Sequence, residues 1–314
     1  MYEIETTTRV GNPTMPIALD FASGIVSLGS CFSDEVGRRM ADSGFLIEQN
    51  PFGTLYNPAS IASALERLTD DRELTEKDLV EHDGLWHSWH HHGSFSRATA
   101  EECLAVCNGG IHRGHQALAQ ASLLMVTFGS AWVYELPTMV VANCHKLPQE
   151  MFVRRRLSVE DIVALWHPLL DRLHTLYPSL HTLFTVSPMR HIGDGLHGNQ
   201  LSKSTLLLAV DELVDRELPF ARRKKKGVKT PAPERPLTMY FPSYEIVLDE
   251  LRDYRYYNAD MVHPSDLAVD IVWDRFQRST MSPAVRDQAH FNAKQSRRAR
   301  HIPLHPREEE KNKG

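Results

Sequence analysis

The fold of this chain is decided by the stretch Ile25-Val26-Ser27-Leu28-Gly29-Ser30-Cys31-Phe32. Its first half is an apolar run typical of a buried strand, and its second half bends at a glycine into an expected helix. Ser33 is the predicted N-cap of that helix, since Asp34 and Glu35 follow as an acidic first turn. A serine on such a turn projects from the carboxyl edge of a sheet, beside free helix amides that can stabilise an oxyanion. The stretch therefore predicts Ser30 as a nucleophile.

Composition narrows the class of protein. The chain has 314 residues, of which 42% are hydrophobic and 24% charged, so it can bury a large core without disulfides. Its net charge of -5 favours neither nucleic acid nor a membrane as a partner. The four cysteines form no CxxC pair, the N-terminus lacks a secretory signal pattern, and no apolar run reaches the length of a membrane span. We therefore expect a cytoplasmic protein.

Strand and helix signals alternate from residue 25 to residue 278. Helix starts are predicted where a capping residue precedes a helical pattern, at Asn57, Thr99 and Ser158. The run Leu123–Phe128 is continuously apolar, which is typical of a strand buried on both faces. We expect Gly109-Gly110 to interrupt the helix that follows Thr99. Repeated βα units predict an α/β fold, a three-layer α/β/α sandwich around a mostly parallel sheet.

The predicted organisation is one α/β domain over residues 1–289. An insertion is expected around residues 80–98, between two βα units, and a basic surface loop at residues 222–236. From residue 290 to residue 314 the chain is polar and charged, which predicts a disordered tail.

A base and an orienting group for Ser30 are found near the end of the α/β alternation. Asp260 and His263 lie in the connection before the last predicted helix, where a loop can reach the carboxyl edge of the sheet. Three-residue spacing allows the carboxylate to bind Nδ1 of the imidazole and leaves Nε2 free for the serine. The alternative is that the aspartate caps a turn and the histidine binds a backbone carbonyl.

Several motifs resemble one family. Gly29-Ser30-Cys31-Phe32 resembles the signature of the GSCFA family, which belongs to the SGNH/GDSL-like hydrolase group. Further matching segments occur along roughly residues 20–280: Asn50–Pro58, Thr127–Tyr134, Asn143–Lys146, Ser187–His191 with Ser202-Lys203, and Phe241–Glu245. The resemblance implies an SGNH-hydrolase-like α/β/α fold and an esterase-like site that needs no cofactor.

The same resemblance implies roles for individual residues. Ser30 is similar to the family group's nucleophile, and Asp260 with His263 to its terminal Asp-x-x-His. Gly53 is similar to the glycine whose amide joins that of Ser30 in the oxyanion hole. The chain departs from the pattern after its buried strand, where Gly129-Ser130-Ala131 stands in place of Gly-x-Asn. The candidates for the missing oxyanion donor, or for substrate binding, are Asn143, Arg190 and His191.

Two other groups have competing interpretations. Cys31 could itself be a nucleophile, since a helix start and a histidine can activate a thiol, or it could be a buried, inert packing residue. The segment Trp86–His92, with Cys103 and Cys107 nearby, could hold a metal ion. It could instead cover the active-site edge as a cap, or form a surface excursion whose tryptophans pack.

The sequence therefore predicts a serine hydrolase that removes a short acyl group from a small-molecule or glycan ester. In this hypothesis Asp260 orients His263, which takes the proton from Ser30, and no metal or organic cofactor takes part. Two alternatives stay open. The site could transfer the acyl group to another alcohol, or the chain could be a binding protein that has lost part of its oxyanion hole.

Overall fold

A computed structural model describes residues 7–215 and 237–300 of the chain. The strands in these residues are β1 Gly24–Gly29, β2 Leu46–Gln49, β3 Leu79–His82, β4 Leu85–Ser88, β5 Ala121–Phe128, β6 Trp132–Leu136, β7 Met139–Val141, β8 Val153–Arg156, β9 His181–Val186 and β10 Thr238–Tyr240. The helices are α1 Cys31–Asp42, α2 Pro58–Asp70, α3 Ala100–Gln120, α4 Val159–Leu176, α5 Gly195–Asp215, α6 Ser243–Glu245, α7 Asp266–Thr280 and α8 Pro283–Arg300. A π-helical turn, Ile246–Leu251, continues α6.

Five parallel strands form the central sheet, in the order β10-β9-β5-β1-β2. From β1 the chain adds β2 on one side and β5, β9 and β10 on the other, so the strand order reverses between β1 and β5. Such a reversal opens a crevice at the carboxyl ends of the two strands. Gly29 and Thr127 pair there, at the ends of β1 and β5. The turn after β1 therefore lies at the switch point of the sheet.

Side chains of the central strands alternate between two cores. Val26 and Leu28 of β1 belong to the core under α2, α3, α4 and α5, where Trp166 packs against Phe128 with ring centroids 5.2 Å apart. Ile25 belongs to the opposite core, under α1, α7 and α8. Both faces of the sheet are covered because apolar side chains point both ways from each strand. The predicted three-layer α/β/α sandwich is confirmed.

Two small antiparallel sheets lie outside the central one. Strands β3 and β4 form a hairpin within the insertion predicted around residues 80–98. Strands β7, β6 and β8 form a three-stranded sheet, in that order, over residues 132–156. Its strands are only three to five residues long, too short for a periodic sequence signal, and the sequence did not predict this sheet.

The predicted disordered tail is wrong over residues 290–300, where α8 continues to Arg300. Ala289 is buried in the core next to α1, and Asn292 Nδ2 donates a hydrogen bond to the Ser43 carbonyl (3.0 Å). One narrow packing face orders this helix although most of its residues are polar or charged. Residues 301–314 and the predicted basic loop at 222–236 lie outside the described residues. No helix in the described part combines the length and apolarity needed to cross a bilayer.

The predicted interruption of a helix at Gly109-Gly110 is also wrong, because α3 is continuous through both glycines. Gly110 lies where the helix approaches the backbone of Pro51, and a Cβ there would be 2.4 Å from the Pro51 carbonyl oxygen. At Gly109 the nearest atom to such a Cβ is Nη1 of the flexible Arg113 side chain, at 3.6 Å. Only the second glycine is required for packing.

Alanine at these two positions is expected to have opposite effects. Gly110→Ala forces α3 away from Pro51 and should lower the free energy of unfolding by about 1–3 kcal/mol. Gly109→Ala removes a flexible residue from a helix interior and should raise it by about 0.5–1 kcal/mol. Urea unfolding of both variants and the wild type measures the difference. Equal destabilisation by both would contradict the close approach at Pro51.

Candidate active site

The turn after β1 is held in an unusual backbone conformation. Gly29 has a φ of +147°, which side-chain-bearing residues rarely adopt, and a Cβ there would lie 2.3 Å from the Thr127 carbonyl oxygen. Asn50, just after β2, accepts a hydrogen bond from the Gly29 amide (2.8 Å) and donates one to Asp34 Oδ1 (2.5 Å). The Asn50 side chain, at the end of the neighbouring strand, therefore holds both the glycine turn and the first turn of α1 in place.

Helix α1 begins at Cys31, earlier than predicted. Ser30 occupies the N-cap position with an extended backbone, and its side chain makes no capping hydrogen bond. The amide of Ser33, the predicted cap, donates to the Ser30 carbonyl (2.7 Å) inside the first turn. The predicted cap is wrong because no linking residue separates the glycine turn from α1, so the N-cap falls three residues earlier, at Ser30.

Ser30 is not exposed at the crevice. Its side chain is fully buried at 0% exposure, and Oγ has no hydrogen-bond partner. It packs against Gly129, where a Cβ would lie 3.2 Å from Ser30 Cβ. The structure thus does not bring the predicted nucleophile into hydrogen-bond contact with His263.

Two cavities meet at His263, at the carboxyl edge of the sheet. The large cavity has a volume of about 690 Å³, and its lining includes Tyr56, Trp132, Asn143, Arg190, His191 and His263. The small cavity has a volume of about 360 Å³, and its lining includes Cys31, Phe32, Met189, Asn258 and His263. Ser30 lines neither of them.

Cys31 is the residue of the glycine turn that faces the small cavity. It is half-buried at the first position of α1, and its Sγ lies 3.1 Å from Sδ of Met189. Burial, reinforced by the nearby Asp34 carboxylate, raises the pKa of the Cys31 thiol above its usual value, although the amides of Cys31 and Phe32 act in the opposite direction. A protonated thiol needs a base before it can attack.

Asp260 and His263 form the contact that their spacing predicts. Asp260 Oδ2 lies 2.6 Å from Nδ1 of His263, while Oδ1 accepts hydrogen bonds from the amides of Val262 (2.8 Å) and His263 (3.0 Å). The His263 and Val262 amides, together with the imidazole, lower the pKa of Asp260 to about 2. With Nδ1 engaged by a carboxylate, Nε2 is the ring nitrogen left to act on a neighbouring group.

A buried lysine supports the floor of the crevice. Nζ of Lys203, on α5, donates hydrogen bonds to the carbonyls of Gly129 (2.5 Å) and Ser187 (2.7 Å), which follow β5 and β9. Desolvation lowers the pKa of Lys203 to about 7, and its electrostatic interaction with Cys31 acts the other way. No sequence pattern pointed to a role for Lys203, although it stands in the matching Ser202-Lys203 segment.

Replacing Lys203 by methionine is expected to reduce stability by about 2–5 kcal/mol at neutral pH, because two buried carbonyls lose their donor. In the wild type, stability should also rise with pH from about 7 towards the usual lysine pKa of about 10.4, because there the unfolded chain binds a proton that the folded chain has released. The Lys203→Met variant should lack this rise. Urea unfolding across this range measures both effects, with the exposed Lys77→Met as control. A parallel pH dependence in the two variants would contradict the lowered pKa.

The residues predicted for oxyanion or substrate binding are not all at the site. Asn143, Arg190 and His191 line the large cavity together with His263. Nε2 of His191 is buried without a partner, and desolvation lowers the pKa of this histidine to about 4, so the ring is neutral. The Gly53 amide instead donates to the Asn50 carbonyl (2.6 Å), which commits it to a turn away from either cavity.

The histidines of the insertion contact different parts of the protein. Nδ1 of His87 lies 2.6 Å from Ser96 Oγ, Nε2 of His90 lies 2.8 Å from Arg67 Nη2, and the ring of His91 stacks on Phe52. Cys103 and Cys107 are buried on α3. Among residues 7–215 and 237–300, no group of three His, Cys, Asp or Glu side chains is arranged to hold a metal ion.

Of the interpretations left open for the insertion, the cap over the active-site edge is wrong, since residues 80–98 line neither cavity. The wall of the large cavity comes from β6, β7 and β8 and from the loop after β7, through Trp132, Asn143 and others. The insertion packs behind that wall, where the His87 and His145 rings stack with centroids 4.5 Å apart. It therefore supports the wall of the site from outside.

Comparison with known proteins supports the family suggested by the motifs. The profile of the GSCFA family matches residues 24–276, which include the glycine turn, the Lys203 helix and the Asp260–His263 loop. No curated protein matches the chain. Because the match covers most of its length, the chain belongs to the GSCFA family.

Proposed function

We propose that the protein is an acyl hydrolase in which Cys31 is the nucleophile and His263, oriented by Asp260, is the base. One observation carries the proposal. Cys31 and His263 line the same small cavity, and Asp260 already occupies Nδ1 of the imidazole. Ser30, which the family resemblance suggested as the nucleophile, is buried against Gly129.

The proposed reaction has two steps. Nε2 of His263 takes the proton from the Cys31 thiol as Sγ attacks the acyl carbonyl. Collapse of the tetrahedral intermediate forms a thioester, and the leaving alcohol takes the proton from His263. Water, activated by the same imidazole, then attacks the thioester, releases the acid and returns the proton to Sγ. Asp260 stays ionised throughout and stabilises the imidazolium.

Each of the two cavities that His263 lines has candidate donors for the oxyanion. The amides of Cys31 and Phe32 stand at the start of α1, where a helix has unpaired N–H groups. His191 lines the large cavity with a neutral ring, and a neutral imidazole N–H supports the role left open by the missing asparagine. The small cavity, at about 360 Å³, suits a short acyl group on an ester.

A trapping experiment tests the proposal. The protein is incubated with 4-nitrophenyl acetate, quenched in acid and digested, and the acyl-enzyme is located by mass spectrometry. We expect one acetyl group on the peptide that contains Ser30 and Cys31, removed by neutral hydroxylamine as a thioester is. A hydroxylamine-resistant adduct would identify Ser30 as the acyl carrier. Absence of turnover with both oxygen esters and thioesters would overturn the hydrolase assignment.

The junction of two cavities at His263 supports transfer to an alcohol as a second candidate function. One cavity would hold the acyl group, and the other the acceptor. Adding glycerol or a simple sugar to the assay distinguishes the two reactions. A transferase forms the acylated acceptor at the expense of free acid, whereas a hydrolase yields acid alone.

A further inference from the structure

Arg190 lies at the carboxyl edge of the sheet, where it contacts the loop that carries His263. It follows β9, and its amide donates a hydrogen bond to the Val262 carbonyl (3.2 Å), next to His263. Its side chain lines the large cavity, as that of His263 does. The backbone contact therefore ties the position of Arg190 to that of the proposed base.

Two tyrosine rings hold the guanidinium. Cζ of Arg190 lies 4.2 Å from the ring centroid of Tyr257 and 5.0 Å from that of Tyr254. Stacking on aromatic faces fixes the plane of a guanidinium and leaves its N–H groups for acceptors in that plane. The side chain is half-buried, so this orientation costs little additional entropy when a ligand binds.

Arg190 differs from the other arginine of the large cavity in having no acidic partner. Arg154 pairs with Asp194, and the buried Arg39 and the half-buried Arg275 also pair with carboxylates. Within the residues that the structure describes, no carboxylate lies within 4.0 Å of the Arg190 side chain. The cavity thus contains a positioned cation whose charge is not neutralised by those residues.

The remaining charges of the large cavity do not compensate this cation. Asp194 is paired with Arg154, the carboxylate of Asp260 behind His263 is bound to that imidazole, and Lys146 adds a further positive charge at the rim. A neutral ester would leave the guanidinium without a partner, whereas an anionic one would form charge-assisted, bidentate hydrogen bonds.

We propose that Arg190 binds an anionic group of the substrate, a carboxylate or a phosphate, while the acyl carbon lies at Cys31. The placement of the acyl carbon at Cys31 rests on the proposed function. Binding of the anion by Arg190 does not, because it requires no chemistry. It assigns the substrate class as esters that carry a negative charge.

The kinetic test compares two acetate esters of similar size, 4-acetoxybenzamide and 4-acetoxybenzoate, which differ in the charge of the alcohol part, because Arg190 lines the large cavity and the acyl group lies in the small one. We expect the wild type to favour the benzoate in kcat/KM, and Arg190→Gln to lower that preference by about 10- to 100-fold. Arg190→Lys should retain part of this preference, since lysine keeps the charge but lacks the planar, forked donors of the guanidinium. Arg255→Gln, on the same surface but outside the cavity, is the matched control and should keep the wild-type preference. Turnover of both esters without preference would overturn the inference and leave the proposed function standing.

A binding test separates the inference from catalysis. Isothermal titration of the Cys31→Ala variant with succinate, and separately with inorganic phosphate, measures anion binding without turnover. Binding of one or the other, weakened about tenfold or more by Arg190→Gln, supports the inference and identifies the anion. No binding of either, or equal binding by the Gln variant, overturns it whatever the activity of the wild type.

Discussion

Replacing Cys31 by alanine is expected to lower kcat on an ester substrate by a factor of about 10⁴–10⁶. The thiol is the group of the glycine turn that shares a cavity with His263, so its removal leaves no side chain there to form the acyl intermediate. Steady-state kinetics with 4-nitrophenyl esters measures the loss. Loss of labelling by iodoacetamide at the same position checks that the reactive thiol is the one removed.

Ser30→Ala is the matched control for this prediction. The hydroxyl is buried and has no hydrogen-bond partner, so its removal should change the free energy of unfolding by less than about 1 kcal/mol and kcat by less than about threefold. Cys31→Ser should keep the fold and lose most of the activity, because a hydroxyl is a weaker nucleophile at neutral pH. The opposite result, an inactive Ser30→Ala beside an active Cys31→Ala, would restore Ser30 as the nucleophile.

Asp260→Asn is expected to lower kcat by about 10³–10⁴. The Asp260 carboxylate accepts the Nδ1–H of His263 at 2.6 Å, which keeps the base tautomer at Nε2 and stabilises the imidazolium. An asparagine can turn its amide donor towards Nδ1 and hold the opposite tautomer. The matched control is Asp249→Asn, since Asp249 is also exposed but pairs with Arg252, which lines neither cavity.

Activity measured across the pH range, together with circular dichroism, separates this catalytic effect from a loss of fold. Because the amides of His263 and Val262 hold the pKa of Asp260 at about 2, its carboxylate remains charged at every pH above about 4. Protonation of Asp260 therefore does not shape the activity of the wild type in that range. The Asn variant should lose activity across the whole range while its circular dichroism stays unchanged. Activity close to that of the wild type would show that Asp260 only caps the loop.

The parts of the fold that sequence predicted correctly depend on neighbours along the chain. Asn57 caps α2 by accepting the Ser60 amide (2.8 Å), three residues away. Asp260 reaches Nδ1 of His263 over the same spacing. Such contacts are set by local backbone geometry, so residue types at fixed spacing are enough to predict them.

The predictions that failed depend on contacts between distant segments. The glycines of α3 were expected to break a helix, yet one of them is required by Pro51, which is remote in sequence. The part of α8 from residue 290 onward was expected to be disordered because it is polar and charged, yet the helix packs on α1 and buries Ala289. Composition cannot show where such surfaces meet, because tertiary packing outweighs local propensity.

For this protein, the sequence by itself determined the α/β alternation, the parallel sheet, the glycine turn after the first strand and the Asp260–His263 pair. Tertiary structure alone decided which side chain of the turn faces the crevice. Ser30 and Cys31 are adjacent, but Gly129 from the next strand of the sheet takes up the space beside Ser30, and α1 starts at Cys31 and directs it to the cavity of His263. The pairing of β5 with β9 also placed two carbonyls around Lys203. Both outcomes follow from close packing between neighbouring strands that are distant in sequence, which local residue patterns do not reveal.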